Sequence, residues 1–304
     1  MTAEKLQVGL VQMAMAEVAD ANRATIEAAV AELAAKGAQL VVLPELHNLR
    51  YFCESQKTER FELAEPIPGP SSEWLGTLAR QHQLVLVGSL FERRASGVYH
   101  NTAVVLEKDG RLVGRFRKMH IPDDPGYNEK FYFTPGDAVG AEAFRPIQTS
   151  VGNLGVMVCW DQWYPEGARL MALAGADMLI YPTAIGWDTQ EPDAAENQRQ
   201  RDAWEWVQRG HAVANGVPVI ACNRVGEEPM TGPGGGAARF WGHSMVLGPQ
   251  GETIRVLGGD PLNALAELDL RRGEQVRRIW PFFRDRRIDA YSDILRRSRD
   301  EQVD

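Results

Sequence analysis

Two blocks of this chain repeat one order of elements, and that order constrains the fold more than any other feature. In each block, short β-branched apolar runs alternate with helical stretches, and the block closes on a hairpin turn. The first block opens with L-Q-V-G-L-V-Q-M (6–13) as a strand and an alanine-rich helix over 21–37, closed by Gly37. A second strand, A-Q-L-V-V-L-P-E (38–45), stops at Pro44-Glu45. A serine cap and an early glutamate predict a helix over 71–82, followed by the strand Q-L-V-L-V-G-S-L-F-E (83–92). The turn K-D-G (108–110) then joins strands at 101–107 and 111–118.

The second block runs L-G-V-M-V-C (154–159), a helix over 165–175, a strand over 177–183, a charged helix over 193–215 and a strand over 217–224. Its hairpin turns at P-Q-G (249–251) between 240–248 and 252–258, and a last strand (263–270) precedes a basic tail. The glycine-rich stretch 231–238 reads as a mobile loop inside the domain. Over 304 residues the pattern implies one continuous α/β domain (1–304) with helices on the outer faces of mixed sheets.

Charge and cysteine usage narrow the function. A net charge of -8 argues against a general nucleic-acid binder, which carries a basic face. The start M-T-A-E-K-L-Q-V-G-L has no signal-peptide pattern, and no apolar run nears the roughly 18 residues of a membrane span. Cys53, Cys159 and Cys222 are an odd set without C-x-x-C, so neither a disulfide framework nor a zinc site is expected. A reducing, cytoplasmic setting follows.

In α/β sheets, sites gather at the carboxyl ends of strands. Three chemically useful side chains stand there: Glu45 after L-V-V-L-P, Lys118 after R-F-R and Cys159 after G-V-M-V. A thiol with an ordinary pKa of about 8.5 needs a base to attack at neutral pH. Glu45 can take its proton and later hand it to a leaving nitrogen. Lys118 and the backbone N–H of Trp160, at the start of the next helix, can stabilise an oxyanion. Other readings stand beside this one. A lone strand-end cysteine is often structural, as Cys53 and Cys222 are read here, Glu45 fits a solvated loop, and Lys118 fits a hydrated basic strand with Arg115 and Arg117. His120, His211 and His243 are rival bases, which keeps a Cys–His hydrolase open.

The segments L-P-E (43–45), R-K-M-H (117–120) and C-W-D-Q-W-Y-P-E (159–166) resemble the three signatures of the nitrilase superfamily of carbon–nitrogen hydrolases. The likeness extends from V-G-L-V-Q-M to F-F-R-D-R-R-I-D-A-Y. It implies a four-layer α-β-β-α sandwich and a Glu45-Lys118-Cys159 triad working through a covalent cysteine intermediate. It also implies a homo-oligomer, a dimer or higher, with 271–304 as a tail in the subunit contact. Neither a metal nor an organic cofactor is implied. Glu129, in Y-N-E-K-F-Y-F, matches the superfamily's second glutamate; as a plain surface carboxylate it would sit beside Lys130.

Within the superfamily, H-I-P-D-D-P-G-Y-N-E-K-F-Y-F-T-P-G-D (120–137) is similar to the N-carbamoylputrescine amidohydrolase subgroup, as are Y-P-T-A-I-G and W-x-x-V-x-x-G-H-A-x-A-N-G-V-P (204–218). The resemblance implies a small ureido substrate with a cationic tail, and a place in polyamine formation. A buried ammonium needs an anionic partner. Asp188, beside Trp187 in A-I-G-W-D-T-Q, is the first candidate, where the subgroup's plant members commonly read S-E-P-Q; Asp124 and Asp123 are the alternatives. An N-carbamoyl amino acid would instead call for arginine near these loops. Another amidase of the superfamily, or an inactive amine-binding oligomer, remains the alternative function.

Overall fold

The computed structural model describes residues 5–124, 126–230 and 235–299. The first half carries β1 (Lys5–Gln12), α1 (Ala19–Ala35), β2 (Leu40–Val42), α2 (Pro70–His82), β3 (Val85–Ala95), β4 (Val98–Leu106) and β5 (Leu112–Arg117). A single turn, α3 (Glu129–Tyr132), leads into β6 (Ile147–Thr149), β7 (Gly152–Val156), α4 (Pro165–Leu173), β8 (Met178–Thr183) and β9 (Gly186–Asp188). Then come α5 (Ala194–Asn215), β10 (Val219–Asn223), β11 (Val225–Pro229), β12 (Ala237–Trp241), β13 (Met245–Leu247), β14 (Thr253–Val256), β15 (Leu262–Asp269) and α6 (Arg272–Ile279).

Two six-stranded sheets result, ordered β15-β1-β2-β3-β4-β5 and β14-β13-β10-β8-β7-β6. Each has three parallel strands at its centre, β1-β2-β3 in one and β7-β8-β10 in the other. Each extends on one side through an antiparallel hairpin, β4-β5 and β13-β14. The two blocks of the sequence are therefore the two sheets. Alternation along the strands decides what each face meets. In β1, Leu6, Val8 and Leu10 join the core between the sheets, whereas Val11 packs outward with Ile26, Val30 and Leu33 of α1. With α4 and α5 packed on the second sheet, the layers are α-β-β-α. The Asp-Gly turn needs its glycine twice over: Gly110 has φ +89°, and a Cβ there would lie 2.7 Å from the Gly76 carbonyl oxygen.

Several local expectations give way. The cap of α2 is Gly69 with Pro70 following; Ser72 accepts the Gly69 N–H at 2.9 Å, and Ser71 lies inside the helix, held by Glu65. Residues 240–241 belong to β12, which with β9 and β11 forms a three-stranded sheet absent from the sequence reading. β6 was also not expected there. Of the glycine-rich stretch, 231–234 lie outside the described residues, and Ala237 already begins β12.

Candidate active site

Glu45 leaves the first sheet three residues beyond β2, and its N–H crosses to the carbonyl of Thr183 on the second sheet at 3.3 Å. The next residue, Leu46, has φ +47°, a left-handed conformation that a branched side chain adopts only when its surroundings enforce it. The enforcing group is Arg224, fully buried beyond β10. Its Nη2 donates to the carbonyls of Glu45 (2.6 Å) and Leu46 (3.2 Å), while Nη1 donates to Glu228 Oε1 (2.8 Å). Lys118 follows β5 directly. Its Nζ donates to Glu45 Oε1 at 2.9 Å and to Glu129 Oε2 at 2.6 Å, and all three groups are buried. Glu129 is thus no surface carboxylate; its other oxygen accepts from the Tyr51 hydroxyl at 3.2 Å.

Cys159 does not end a strand. β7 stops at Val156, and the thiol opens a 3-10 turn, Cys159–Trp163, six residues before α4. The turn puts Cys159 at φ +42°. Asp161, also in the turn and fully buried, fixes it: Oδ2 accepts the Val158 N–H (3.1 Å) and Oδ1 accepts the N–H of His120 (2.9 Å). One carboxylate thereby ties the cysteine turn to the segment carrying Lys118.

Burial works against the Lys118 ammonium, yet the charges of Glu129 and Glu45 outweigh it and hold its pKa well above the usual lysine range. Burial, with the Glu45 charge added, pushes Glu129 up to about 7 against the pull of Lys118. Burial and then Glu45 also push the Cys159 thiol well above its ordinary value, with Lys118 pulling the other way. A thiol so placed is protonated at rest and attacks only with a base at hand. Glu45 Oε2, buried and without a hydrogen-bond partner among the described residues, is a base with a free lone pair. The histidines are engaged elsewhere: His120 Nδ1 with Asp161 (2.7 Å), His211 Nε2 with the Gln162 carbonyl (2.6 Å) and His243 against Arg201 (3.2 Å). Among the described residues no histidine is hydrogen-bonded to the thiol, which instead points its S–H at the Ala184 carbonyl (3.8 Å).

A cleft of about 440 Å³ opens over Cys159. Trp160, Asp124 and Asp188 line it, as the sequence reading expected, together with Glu129. Trp187 does not: its Nε1 donates to the Asn197 carbonyl at 2.7 Å, and its ring packs on Trp241. Asp123 also stays outside the cleft and faces Lys130 at 3.7 Å. Unforeseen in the wall are Tyr51, Tyr127, Trp163, Trp241 and a fourth acid, Glu191. Tyr127 registers the acids: burial, then Asp188 and Asp124, push its hydroxyl up to about 12. Cys53 and Cys222 are buried free thiols outside the cleft lining. Among the described residues no three or more His, Cys, Asp or Glu side chains gather as a metal site, and no helix is long and apolar enough to cross a membrane.

Comparison with known proteins shows the family. The family described as carbon-nitrogen hydrolase matches residues 7–278. The N-carbamoylputrescine amidase of Oryza sativa subsp. japonica is 40% identical over 294 residues, 96% of this chain and 95% of its own length. The citrullinase of Francisella tularensis is 37% identical over 295 residues, 96% of this chain and 99% of its own. A carbon-nitrogen hydrolase from Helicobacter pylori G27, solved as a crystal structure, superposes with a TM-score of 0.92 at 49% identity, covering 96% of this chain and 99% of that one.

Proposed function

The chain belongs to the carbon–nitrogen hydrolase family, and on that premise we propose that it hydrolyses N-carbamoylputrescine to putrescine, carbon dioxide and ammonia. The observation that carries the substrate is the lining of the cleft. Cys159 stands within it, the carboxylates of Asp124, Asp188 and Glu191 line it, and no lysine or arginine does so among the described residues. A ureido group on a tail ending in an ammonium is complementary to such a cleft. N-carbamoyl amino acids end in a carboxylate alone, which meets like charge there, and citrulline carries a carboxylate beside its ammonium, so part of its tail meets like charge as well.

In the proposed mechanism Glu45 Oε2 takes the Sγ proton of Cys159, and the thiolate attacks the ureido carbon. The carbonyl oxygen becomes an oxyanion facing the Lys118 ammonium and the Trp160 N–H. As the tetrahedral centre collapses, one C–N bond breaks and the leaving nitrogen takes the proton from Glu45. Water then gives a proton to Glu45 and adds to the thioester carbon. The C–S bond breaks, the sulfur recovers its proton, and the carbamic acid product separates into carbon dioxide and an amine. Glu129 holds Lys118 from the far side.

We also propose that the single domain (1–304) assembles as a homo-oligomer. The outer layer exposes Leu170 and Leu173 of α4 with Trp206 and Val213 of α5. From the tail, Phe283 packs under Arg169 and Arg277 at 5.3 and 4.7 Å. A second copy covering this face would remove an apolar patch from water. The three free thiols suit a reducing cytoplasm.

The test is ammonia release from N-carbamoylputrescine beside citrulline, N-carbamoyl-D-phenylalanine and a simple aliphatic amide, with Cys159→Ala as the blank. Release from the first alone supports the proposal. Release from citrulline instead keeps the triad and replaces the substrate. Diamine binding without turnover supports the amine-binding alternative.

A further inference from the structure

We propose that Asn101 is a positioning residue that selects which oxygen of Glu45 acts as the base; this rests on the reading of Glu45 as general base given above. Asn101 lies in β4, fully buried, and its Nδ2 donates to Glu45 Oε1 at 2.6 Å. Lys118 Nζ donates to the same oxygen at 2.9 Å. Two donors therefore converge on Oε1, and Oε2 is left buried with no partner among the described residues.

The direction of the amide follows from a chain of hydrogen bonds. The Leu46 N–H can only donate, and it donates to Ser89 Oγ at 3.2 Å. The Ser89 hydroxyl is then turned to donate to Asn101 Oδ1 at 2.8 Å. With its oxygen so engaged, Asn101 presents its NH2 group, not its carbonyl, to Glu45. The chain closes on itself, since Leu46 follows Glu45 directly: the backbone beyond the carboxylate orients the side chain that holds the carboxylate. Asn101 does not line the cleft, and its backbone carbonyl accepts the Lys118 N–H at 2.9 Å whatever its side chain is.

The charged and titratable groups around Glu45 are Lys118 after β5, Glu129 in α3, Cys159 after β7, Arg224 after β10, and His47, Tyr51 and Cys53 in the loop beyond β2. Replacing Asn101 or Ser89 alters none of these charges. A donor lost from the ionised carboxylate makes its protonation easier, so the acid limb of any rate that needs this base moves to higher pH.

The experiment measures the pH dependence of Cys159 alkylation by iodoacetamide, followed on the Cys159 peptide, in the wild type, Asn101→Ala and Ser89→Ala, with kcat and KM on the hydrolysed substrate. For Asn101→Ala we expect the acid limb to move to higher pH. On the plateau kcat falls about 10–100-fold, while KM stays within about twofold. Ser89→Ala moves the limb in the same direction by less. A folded Asn101→Ala whose acid limb coincides with the wild type overturns the proposal. If Asn101→Ala does not fold, Ser89→Ala decides by the same criterion. A wild type whose Cys159 alkylates on a base-dependent limb but which releases no ammonia from the panel overturns the proposed substrate, and the limbs of the variants still judge Asn101. A wild type with no such limb overturns the reading of Glu45 as the base and the role of Asn101 with it.

Discussion

Lys118 Nζ and Glu129 Oε2 meet at 2.6 Å in a site where both side chains are shut off from water. An ion pair taken out of water stabilises a fold poorly, because desolvation offsets most of the attraction. Its place beside Cys159 accords with the proposed role of Lys118 at the oxyanion. Removing one member, however, strands the other. Glu129→Ala is expected to cost roughly 3–5 kcal/mol, read as a lower urea midpoint. Glu129→Gln keeps an acceptor for Lys118 and should lose less stability, yet lower kcat at least about tenfold because the ammonium is held less firmly. A Glu129→Gln enzyme with wild-type kcat would remove the positioning role.

Cys159→Ala should fold with an unchanged melting temperature and lose at least about 10³-fold in ammonia release. Among the described residues the thiol makes one long hydrogen bond, to the Ala184 carbonyl, and the turn is held by Asp161 instead, so the turn does not depend on the sulfur. Mass spectrometry of the wild type, quenched during turnover, should show an adduct on the Cys159 peptide alone.

Much of this site was legible in the sequence because strand ends carry it. Pro44 stops the run before Glu45, Lys118 follows the last residue of β5, and Cys159 follows the V-M-V run three residues beyond the end of β7. The repeated block order likewise pointed to mixed sheets with a hairpin after each block. What was not legible depends on pairing between distant segments. β9 is three residues long, and only its register against β12, Asp188 with Ala238 and Trp187 with Arg239, fixes its faces. Adjacent residues on a strand point to opposite sides, so with Asp188 in the cleft wall Trp187 cannot share it. Glu191 escaped notice because it sits in a turn, its N–H on the Asp188 carbonyl at 3.1 Å, where no periodicity operates.

Three of the cleft acids, Asp124, Asp188 and Glu191, are exposed to solvent, and this limits what each contributes. Exposed ion pairs yield about 0.2–1 kcal/mol, so Asp124→Asn, Asp188→Asn or Glu191→Gln alone should raise KM for N-carbamoylputrescine by at most about fivefold. The triple variant should raise it far more with kcat nearly unchanged, because the acids stand away from the reacting bond. Added salt should weaken binding in the wild type and much less in the triple variant. A salt-independent wild-type KM would show that the acids do not hold the ammonium.

Acid should destabilise the fold through His47, two residues past Glu45. The ring is fully buried, its Nδ1 accepts the Ser89 N–H at 3.2 Å, and Nε2 has no partner among the described residues. Burial, with Arg224 and Arg23 adding to it, lowers its pKa from 6.5 to about 3. A group whose folded pKa is depressed contributes stability that is complete above its unfolded value and is lost as the pH falls. The window is therefore 6.5 down to about 3, with a slope approaching 1.4 kcal/mol per pH unit. Glu129 acts in the opposite sense: with its pKa raised from 4.5 to about 7, it favours the folded state at the acid end of that range. Urea titrations of wild type and His47→Gln across pH 4–7 separate the two, because Glu129 is common to both proteins. The wild type should lose stability relative to His47→Gln at each step below about pH 6.5, and parallel curves would show that His47 protonates as readily in the folded chain as in the unfolded one.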